Sequence, residues 1–311
     1  MSKKYQKVLV TGGAGFIGSH VVDAYIQKRA KVYVVDDLSG GKRSNLNPNA
    51  TFYKMSINSS KFTELVKKIQ PDLVIHAAAQ QDVRKSVEDP QFDAKINILG
   101  TLSVIEACRV ANVKKIVFTS SGGAIYPSTQ RPPFSEKVLP APISPYGIAK
   151  RASELYLHFA YEVHGIPYVA LRFANVYGPR QDWGSTGGVL AIFAQRMLKN
   201  KPIVINGDGK QTRDYVYVSD VVRAVVLAAN KPLVGIVNIG TGKELSVNAI
   251  FRTLKKVTGS ELPERHGPGK VGEVARSALD ARLAYRSLGW KPKVSFEDGV
   301  KKTVDWFKKR S

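Results

Sequence analysis

The sequence predicts an α/β chain, a doubly wound parallel sheet with a smaller C-terminal α+β domain behind it. Three observations carry this expectation. Short β-branched runs alternate with helix-length amphipathic stretches through the first half, a glycine-rich turn joins the first run to the first helix, and turn residues thicken in the second half. Strands separated by 10–20 helical residues pair in parallel through right-handed crossovers.

Lys7–Val10 is the first strand, followed by a helix over Phe16–Arg29 with apolar Phe16, Ile17, Val21, Val22, Tyr25 and Ile26 at helical spacing. Lys31–Val35, Leu73–Ile75 and Ile116–Thr119 read as further strands buried on both faces, and Lys61–Ile69 and Ile98–Val110 as the helices between them. The second half carries Asn206-Gly207-Asp208-Gly209 and His266-Gly267-Pro268-Gly269, the chemistry of tight turns. Ile236–Ile239 is strand-like and is expected to return to the main sheet. The expected division is therefore 1–172 for the parallel sheet and 173–311 for the smaller domain, with about 213–242 rejoining the first.

A chain of 311 residues, 43% hydrophobic and 23% charged, is neither disordered nor fibrous. Its charge is unusual. Lys and Arg number 47 against 25 Asp and Glu, a formal +22, which raises nucleic acid, a membrane surface or an anionic small molecule as partners. The apolar run Val8-Leu9-Val10 is too short for an export signal, and Val221–Ala229 is broken by Arg223, so the expectation is a cytoplasmic chain with no membrane span. Cys108, the single cysteine, fits a reducing compartment and sits in a helical setting as a packing residue. His20, His76, His158, His164 and His266 show no metal-ligand spacing, so no metal is expected, and His76 is assigned to satisfying a backbone group. No G-x-S-x-G elbow occurs, and Gly240-Thr241-Gly242-Lys243-Glu244 lacks the spacing of a P-loop, which removes hydrolase and NTPase readings.

Gly12, Gly15 and Gly18 stand at G-x-x-G-x-x-G spacing directly after a strand and at the start of a helix. There Gly12 permits the tight turn, Gly15 lets the backbone approach a pyrophosphate, and Gly18 lets the helix pack on the sheet, with the helix N-terminus facing the anion. This makes the sheet one of the Rossmann type. Asp36 ends the second strand 18 residues after Gly18, where a carboxylate accepts hydrogen bonds from an adenosine ribose and repels a 2′-phosphate. NAD is therefore expected over NADP, with Lys42 and Arg43 close behind working against that preference.

Tyr146 and Lys150 are four residues apart, one turn on one helical face. A lysine cation beside the phenol, aided by a positive nicotinamide, is expected to lower the phenol pKa and make it a base. The strand Ile116–Thr119 runs into Ser120-Ser121-Gly122 at the sheet edge where open parallel sheets hold substrate.

With these residues the sequence resembles the extended short-chain dehydrogenase/reductase family, specifically its nucleotide-sugar 4-epimerases related to UDP-glucose 4-epimerase. The resemblance runs nearly the whole chain, through Thr11–Gly18, Asp36-Asp37-Leu38, His76–Ala79, Asn97 with Gly100-Thr101, Ser120–Tyr126, Tyr146–Lys150, Leu171–Pro179, Arg213–Val218 and Leu288-Gly289-Trp290. It implies a catalytic set of Ser121, Tyr146 and Lys150, with Tyr146 taking the proton of the sugar 4-hydroxyl while the C4 hydride passes to NAD. The 4-keto sugar then turns over and is reduced on its other face, so the net reaction is redox-neutral.

By the same matching the NAD site is implied at Gly12, Gly15, Phe16, Ile17 and Gly18, at Asp36, Asp37, Ser39 and Gly40, and at Ser56 and Ile57. Ala77, Ala78, Ala79, Gln80, Asn97 and Ala174 complete it beside the catalytic three. The UDP-sugar is implied to lie against Ser121, Tyr146, Asn175, Gly188, Val189, Arg213, Lys270, Glu273 and Ser277. The resemblance also implies a homodimer built from helices flanking the active site.

Some positions depart from the family pattern. Ser56 stands where an Asp commonly reads the adenine, and Lys270 where an arginine usually precedes Glu273, so Arg213 is the better diphosphate clamp. Gly122-Gly123 adds a residue before Tyr126, which sets Ser121 against Ser120 for the catalytic role, and Pro127 replaces a usual glycine. The same two glycines occupy the place of the Asp-Glu pair of sugar-nucleotide 4,6-dehydratases, which disfavours dehydration. UDP-glucuronate 4-epimerase or decarboxylase activity is the alternative enzyme, without an assignable cation for its carboxylate. Ser277, at the position that limits bulk at sugar C2, implies tolerance of N-acetylated sugars.

An epimerase-like scaffold that binds RNA or another polyanion is the alternative of another class, and the intact Tyr146 and Lys150 argue against it. The basic pairs Lys3-Lys4, Lys67-Lys68, Lys114-Lys115, Lys255-Lys256, Lys301-Lys302 and Lys308–Arg310 are dispersed without interleaved aromatics, so they are expected on the outside of the fold as solvated charge.

Overall fold

The computed structural model describes residues 5–127, 129–184, 187–269 and 274–310. Strands β1 (Lys7–Thr11), β2 (Lys31–Asp36), β3 (Thr51–Lys54), β4 (Leu73–His76), β5 (Lys115–Ser121) and β6 (Tyr168–Phe173) join the strand Gly235–Ile239 in one parallel sheet. Its order is Gly235–Ile239, β6, β5, β4, β1, β2, β3, so the direction of winding reverses between β1 and β4. Open α/β sheets form their binding crevice at such a reversal, beyond the carboxyl ends of the strands.

Successive residues of a strand point to opposite faces, and here both faces are covered. Val8 and Val10 of β1, Val32 and Val34 of β2, and Leu73 and Ile75 of β4 pack with Val21, Val22 and Tyr25 of α1 (Phe16–Gln27) and with Val221, Ala224 and Val225 of the helix Val218–Asn230. Leu9, Tyr33, Val35, Val74, Ile116 and Phe118 face the other way, onto the helices Phe62–Ile69, Gly100–Val110 and Pro145–His164. Each such fully buried aliphatic side chain contributes about 2 kcal/mol of transfer free energy, which is why uninterrupted apolar runs mark these strands. A third core, with Tyr177, Phe193, Phe251, Leu254, Val300 and Phe307, fills the C-terminal part beneath the helices Val189–Leu198, Val247–Thr258 and Phe296–Lys308.

Strands and helices fall where the periodicity predicts them, within a few residues at their ends. Three features differ. β3 and β6 carry no strand prediction: β3 is a half-exposed edge with Thr51 and Lys54 at its ends, and β6 is buried throughout although it contains Arg172. The helix expected from Ile98 starts at Gly100, preceded by a π-helical turn over Lys95–Leu99. Such turns insert one extra residue and occur mostly at functional sites; this one holds Asn97, which is buried. Lys115, expected on the outside, is instead buried. Its ammonium donates to the carbonyls of Lys231 (2.7 Å) and Leu233 (2.9 Å), just past the end of the helix Val218–Asn230, where the helix dipole also favours a cation. Lys3 and Lys4 lie outside the described residues.

Cys108 is buried among apolar neighbours and burial pushes its thiol pKa up, so it is an inert packing residue. No helix among the described residues is long and apolar enough to cross a membrane.

Candidate active site

The turn after β1 brings Gly12 to a positive φ of 69°, and its N–H donates to the Val35 carbonyl at 2.8 Å, locking the loop against β2. A side chain at Gly12 would strike the backbone of Ala77 and Ala78, and one at Gly18 would strike the Gly12 carbonyl, so both sites require glycine. Gly15 is the N-cap of α1, makes no side-chain cap, and is followed by no acidic residue in the first turn. The first-turn amides of α1, at Phe16, Ile17 and Gly18, thus meet no side-chain acceptor, which fits a dinucleotide pyrophosphate.

Asp36 is buried at the end of β2, where its carboxylate accepts from the N–H of Ala14 (3.0 Å) and of Leu38 (2.8 Å). Burial raises its pKa, and those two bonds oppose the rise. Two accepted bonds leave capacity for a ribose diol. The cations set against the NAD preference are committed elsewhere: Lys42 Nζ lies 2.8 Å from Asp182 and over the Trp183 ring, and Arg43 lies over Phe52. Asp37 turns back to accept from Ser39 N–H at 2.9 Å, Gly40 borders open space, and Ser56 accepts from Asn58 N–H in its own turn. Ile57 lies buried against Gly100.

Ala77 and Ala78 donate to the carbonyl and hydroxyl of Thr11, which hold the chain after β4 beside the glycine loop, with Ala79 following. Asn97 clasps Gln80 through both ends of its amide, accepting from Gln80 N–H (3.0 Å) and donating to its carbonyl (2.9 Å). Ala174 N–H donates to the Ile239 carbonyl, which fixes the chain leaving β6. His76 corrects the sequence reading. Its partners are hydroxyls, Thr11 at 2.8 Å and Thr101 at 3.1 Å, because both ring nitrogens are enclosed between β1 and the helix Gly100–Val110. Burial and the nearby Lys150 lower its pKa to about 3, so the ring is neutral.

The helix Pro145–His164 starts with Ser144 as N-cap, accepting from Gly147 N–H at 3.2 Å, and with Pro145 in its first turn. This start sets the half-buried Tyr146 at the carboxyl end of β5, near the Ser121 hydroxyl. Lys150, one turn on, donates from Nζ to the Thr119 carbonyl at 2.9 Å, lies over the Phe118 ring, and is 5.7 Å from the Tyr146 ring centroid. Ser120 points away and donates to Glu154 at 2.7 Å. Of the two serines, Ser120 is thus engaged by a buried carboxylate while Ser121 closes the strand.

The protein's own groups, without the nicotinamide, shift the phenol upward. Burial pushes the Tyr146 phenol up to about 12, with the Ser121 hydrogen bond opposing it and the charge of Asp93 adding to it. The same desolvation lowers Lys150 to about 8, while Asp93 and Glu154 hold it up. In the protein alone desolvation keeps the phenol protonated at neutral pH, and the lysine stays cationic there because Asp93 and Glu154 favour its charged form against the same desolvation.

On the substrate side, a three-stranded sheet pairs Thr212–Arg213 with Leu245–Ser246 and Arg276–Ser277, which sets Ser277 directly opposite Arg213. Arg213 Nη1 donates to the Thr212 carbonyl, and Ser277 is buried. Asn175 is exposed, with its Oδ1 close to where a Gly123 side chain would stand. Gly188 caps the helix beginning at Val189 without a side-chain acceptor. A Cβ at Gly122 would meet the side-chain methyls of Leu279 at 2.5 Å, so a larger residue there would have to displace that side chain. Lys270 and Glu273 lie outside the described residues. Sequence reasoning missed Asp93, whose Oδ1 accepts from Gln80 and Asn97 at 2.9 Å each while its Oδ2 is buried without a partner. It also missed Glu154, for which the signal was present: it follows Lys150 by four residues on the same helical face.

A family model described as the NAD dependent epimerase/dehydratase family matches residues 8–240. The chain is similar to a crystal structure of UDP-glucose 4-epimerase with UDP-glucose from Thermotoga maritima, 49% identical with a TM-score of 0.95, over 98% of this chain and 99% of that one. It is 40% identical over 312 residues to the UDP-glucose 4-epimerase of Mycolicibacterium smegmatis, covering 98% of this chain and 99% of the relative. It is also 36% identical, with a TM-score of 0.93, to the structure of UDP-N-acetylglucosamine 4-epimerase from Methanobrevibacter ruminantium in complex with UDP-N-acetylmuramic acid, over 99% and 100% of the two chains.

Proposed function

Because this chain belongs to the NAD dependent epimerase/dehydratase family, among its nucleotide-sugar 4-epimerases, we propose that it interconverts UDP-glucose and UDP-galactose through a 4-keto sugar. NAD, when bound, takes up and returns the hydride of sugar C4. Gly12, Gly15 and the first turn of α1 hold its pyrophosphate, and Asp36 its adenosine ribose. As a phenolate, the form that a bound positive nicotinamide and Lys150 behind the ring would favour, Tyr146 removes the proton of the 4-hydroxyl and returns it to that oxygen when the carbonyl is reduced on either face, with Ser121 placed to hydrogen-bond the same oxygen. Arg213 clamps the diphosphate.

The observation that carries this reading is Lys150 set behind the Tyr146 ring, with its ammonium on the Thr119 carbonyl two residues before Ser121, and only Gly122-Gly123 where a dehydratase needs an acid and a base. Ser277, small and opposite Arg213, supports extension to N-acetylated sugars. The helix Pro145–His164 presents Ile148, Leu155, Phe159 and Val163 to solvent along one side, a stripe suited to the same helix of a second copy.

The test compares the parent with Tyr146→Phe on UDP-glucose, UDP-galactose and UDP-N-acetylglucosamine, with mass spectrometry of the nucleotide released on denaturation. Expected are NAD in both proteins and a loss of about 10²- to 10⁴-fold in kcat for Tyr146→Phe; equal rates would remove Tyr146 from the chemistry.

A further inference from the structure

Behind Ser121 and Tyr146 runs a buried polar network that none of the steps above uses. Glu154 is two turns beyond Tyr146 on the helix Pro145–His164; its Oε1 accepts from Ser120 Oγ at 2.7 Å and from Arg172 Nε at 2.8 Å, and its Oε2 from Arg172 Nη2 at 2.6 Å. Arg172 Nη1 donates to the Tyr126 hydroxyl, which donates to Asn238 Oδ1, each at 2.9 Å. Asn238 in turn donates from Nδ2 to the Phe134 carbonyl at 2.9 Å and from its N–H to Glu136 at 2.7 Å. The Phe134 backbone then bonds Ala278 and Asp280, immediately after Ser277. Glu154 and Arg172 are each 1% exposed and Asn238 is fully enclosed.

Stability alone does not call for this arrangement. A buried ion pair gains little over apolar side chains of the same volume, because desolvation offsets the Coulomb attraction. What a planar guanidinium gives that apolar packing does not is a two-pronged, directional lock on a carboxylate. Here each end of the lock adjoins a reacting group: Ser120 is the neighbour of Ser121 on β5, and Glu154 is one turn from Lys150.

We propose that Glu154 and Arg172 are positioning residues, whose pairing ties the end of β5 to the helix Pro145–His164 so that Ser121 and Tyr146 keep their relative position. Tyr126 and Asn238 carry the same tie across β6 and Gly235–Ile239 to the segment that bears Ser277. This rests on the reading of Tyr146 as the proton-transfer residue.

The test is the double variant Glu154→Leu/Arg172→Met in the NAD-loaded protein, which removes both charges together and keeps the volume apolar. Expected are a melting temperature within a few degrees of the parent, unchanged NAD content, KM for UDP-glucose within about twofold and kcat lower by about 10- to 100-fold, the scale of an ångström-sized misplacement. A folded double variant with the parent kcat, or with its loss carried in KM alone, overturns the proposal. If the double variant does not fold, Tyr126→Phe decides, since it keeps the ring stacked on Phe134 and deletes only the hydroxyl link: a several-fold lower kcat at constant KM supports the lock, and a parent-like kcat overturns it. Tyr146→Phe is assayed alongside. If Tyr146→Phe is as active as the parent, the proton-transfer reading fails; if it is inactive while the double variant is parent-like, only the positioning role fails.

Discussion

At the scale of single residues, the pair Tyr146 and Lys150 shows how burial competes with charge. A phenol at about 12 and an ammonium at about 8 mean that removal from water outweighs the attraction of the neighbouring groups. Lys150 is a cation below about pH 8 and loses its charge above it, so kcat/KM is expected to bend downward on the alkaline side near that value. Asp93 is a negative charge that favours the charged lysine. Asp93→Asn therefore lowers the Lys150 pKa further, and the bend should move to lower pH in a pH–rate profile; a bend that stays in place would separate Asp93 from the lysine. The linear motif announces Tyr146 and Lys150 because their spacing is a property of one helix. Asp93 has no such signature. Its importance comes from being enclosed with Gln80 and Asn97, 13 residues before it and 4 after it, where a π-helical turn brings them together. His76 is the same kind of case, since its two threonine partners lie on different elements and no spacing rule connects them.

At the scale of elements, the start of the helix Pro145–His164 is where sequence and packing disagree about one residue. Helix propensity favours Gly147→Ala by about 1 kcal/mol. Packing opposes it, because a Cβ at 147 would strike the Ala124 carbonyl, in the short helix Gly122–Ile125 that follows Ser121, and come within 2.9 Å of Pro142 Cβ. Backbone and a proline ring yield little, and overpacking of this kind costs about 1–3 kcal/mol. Gly147→Ala is therefore expected to lower the midpoint of thermal or urea unfolding and to reduce kcat by moving Tyr146; a stabilised variant would mean that the turn gives way. The strands Lys7–Thr11, Lys31–Asp36, Leu73–His76 and Lys115–Ser121 were legible because both their faces are apolar, and the helices between them because their apolar residues recur every three or four positions. β6 escaped the same logic although it is as deeply buried. Its Arg172 looks like a surface residue until Glu154, 18 positions earlier and on another element, is placed against it. A buried charge is readable only together with its partner, and the partner is a fact of the tertiary fold.

At the scale of the whole molecule, the formal +22 divides into two populations. Lys115, Lys150 and Arg172 are interior cations, each held by carbonyls or a carboxylate, and each fixes an element of the sheet or the active site. The exposed pair Lys67-Lys68 sits on the helix Phe62–Ile69, and Lys301-Lys302 and the run Lys308-Lys309-Arg310 on the helix Phe296–Lys308 and its end. A diffuse excess of this sort acts at long range on any anion and discriminates little among them. For a dianionic nucleotide sugar it raises the rate of encounter and leaves the chemical step alone. Its reach is set by the Debye length, about 10 Å at 0.1 M salt and about 3 Å at 1 M. Added NaCl, from about 0.05 M to about 0.5 M, shortens that length roughly threefold, so kcat/KM is expected to fall several-fold while kcat stays constant. Random single-stranded RNA serves as the contrast in the same series, binding weakly and losing affinity steeply with salt, as phosphate contacts without a stacking surface do. A kcat/KM that is flat across the range would reduce the surface charge to solvation, whereas RNA binding that survives high salt and displaces the sugar nucleotide would give that surface a partner of its own.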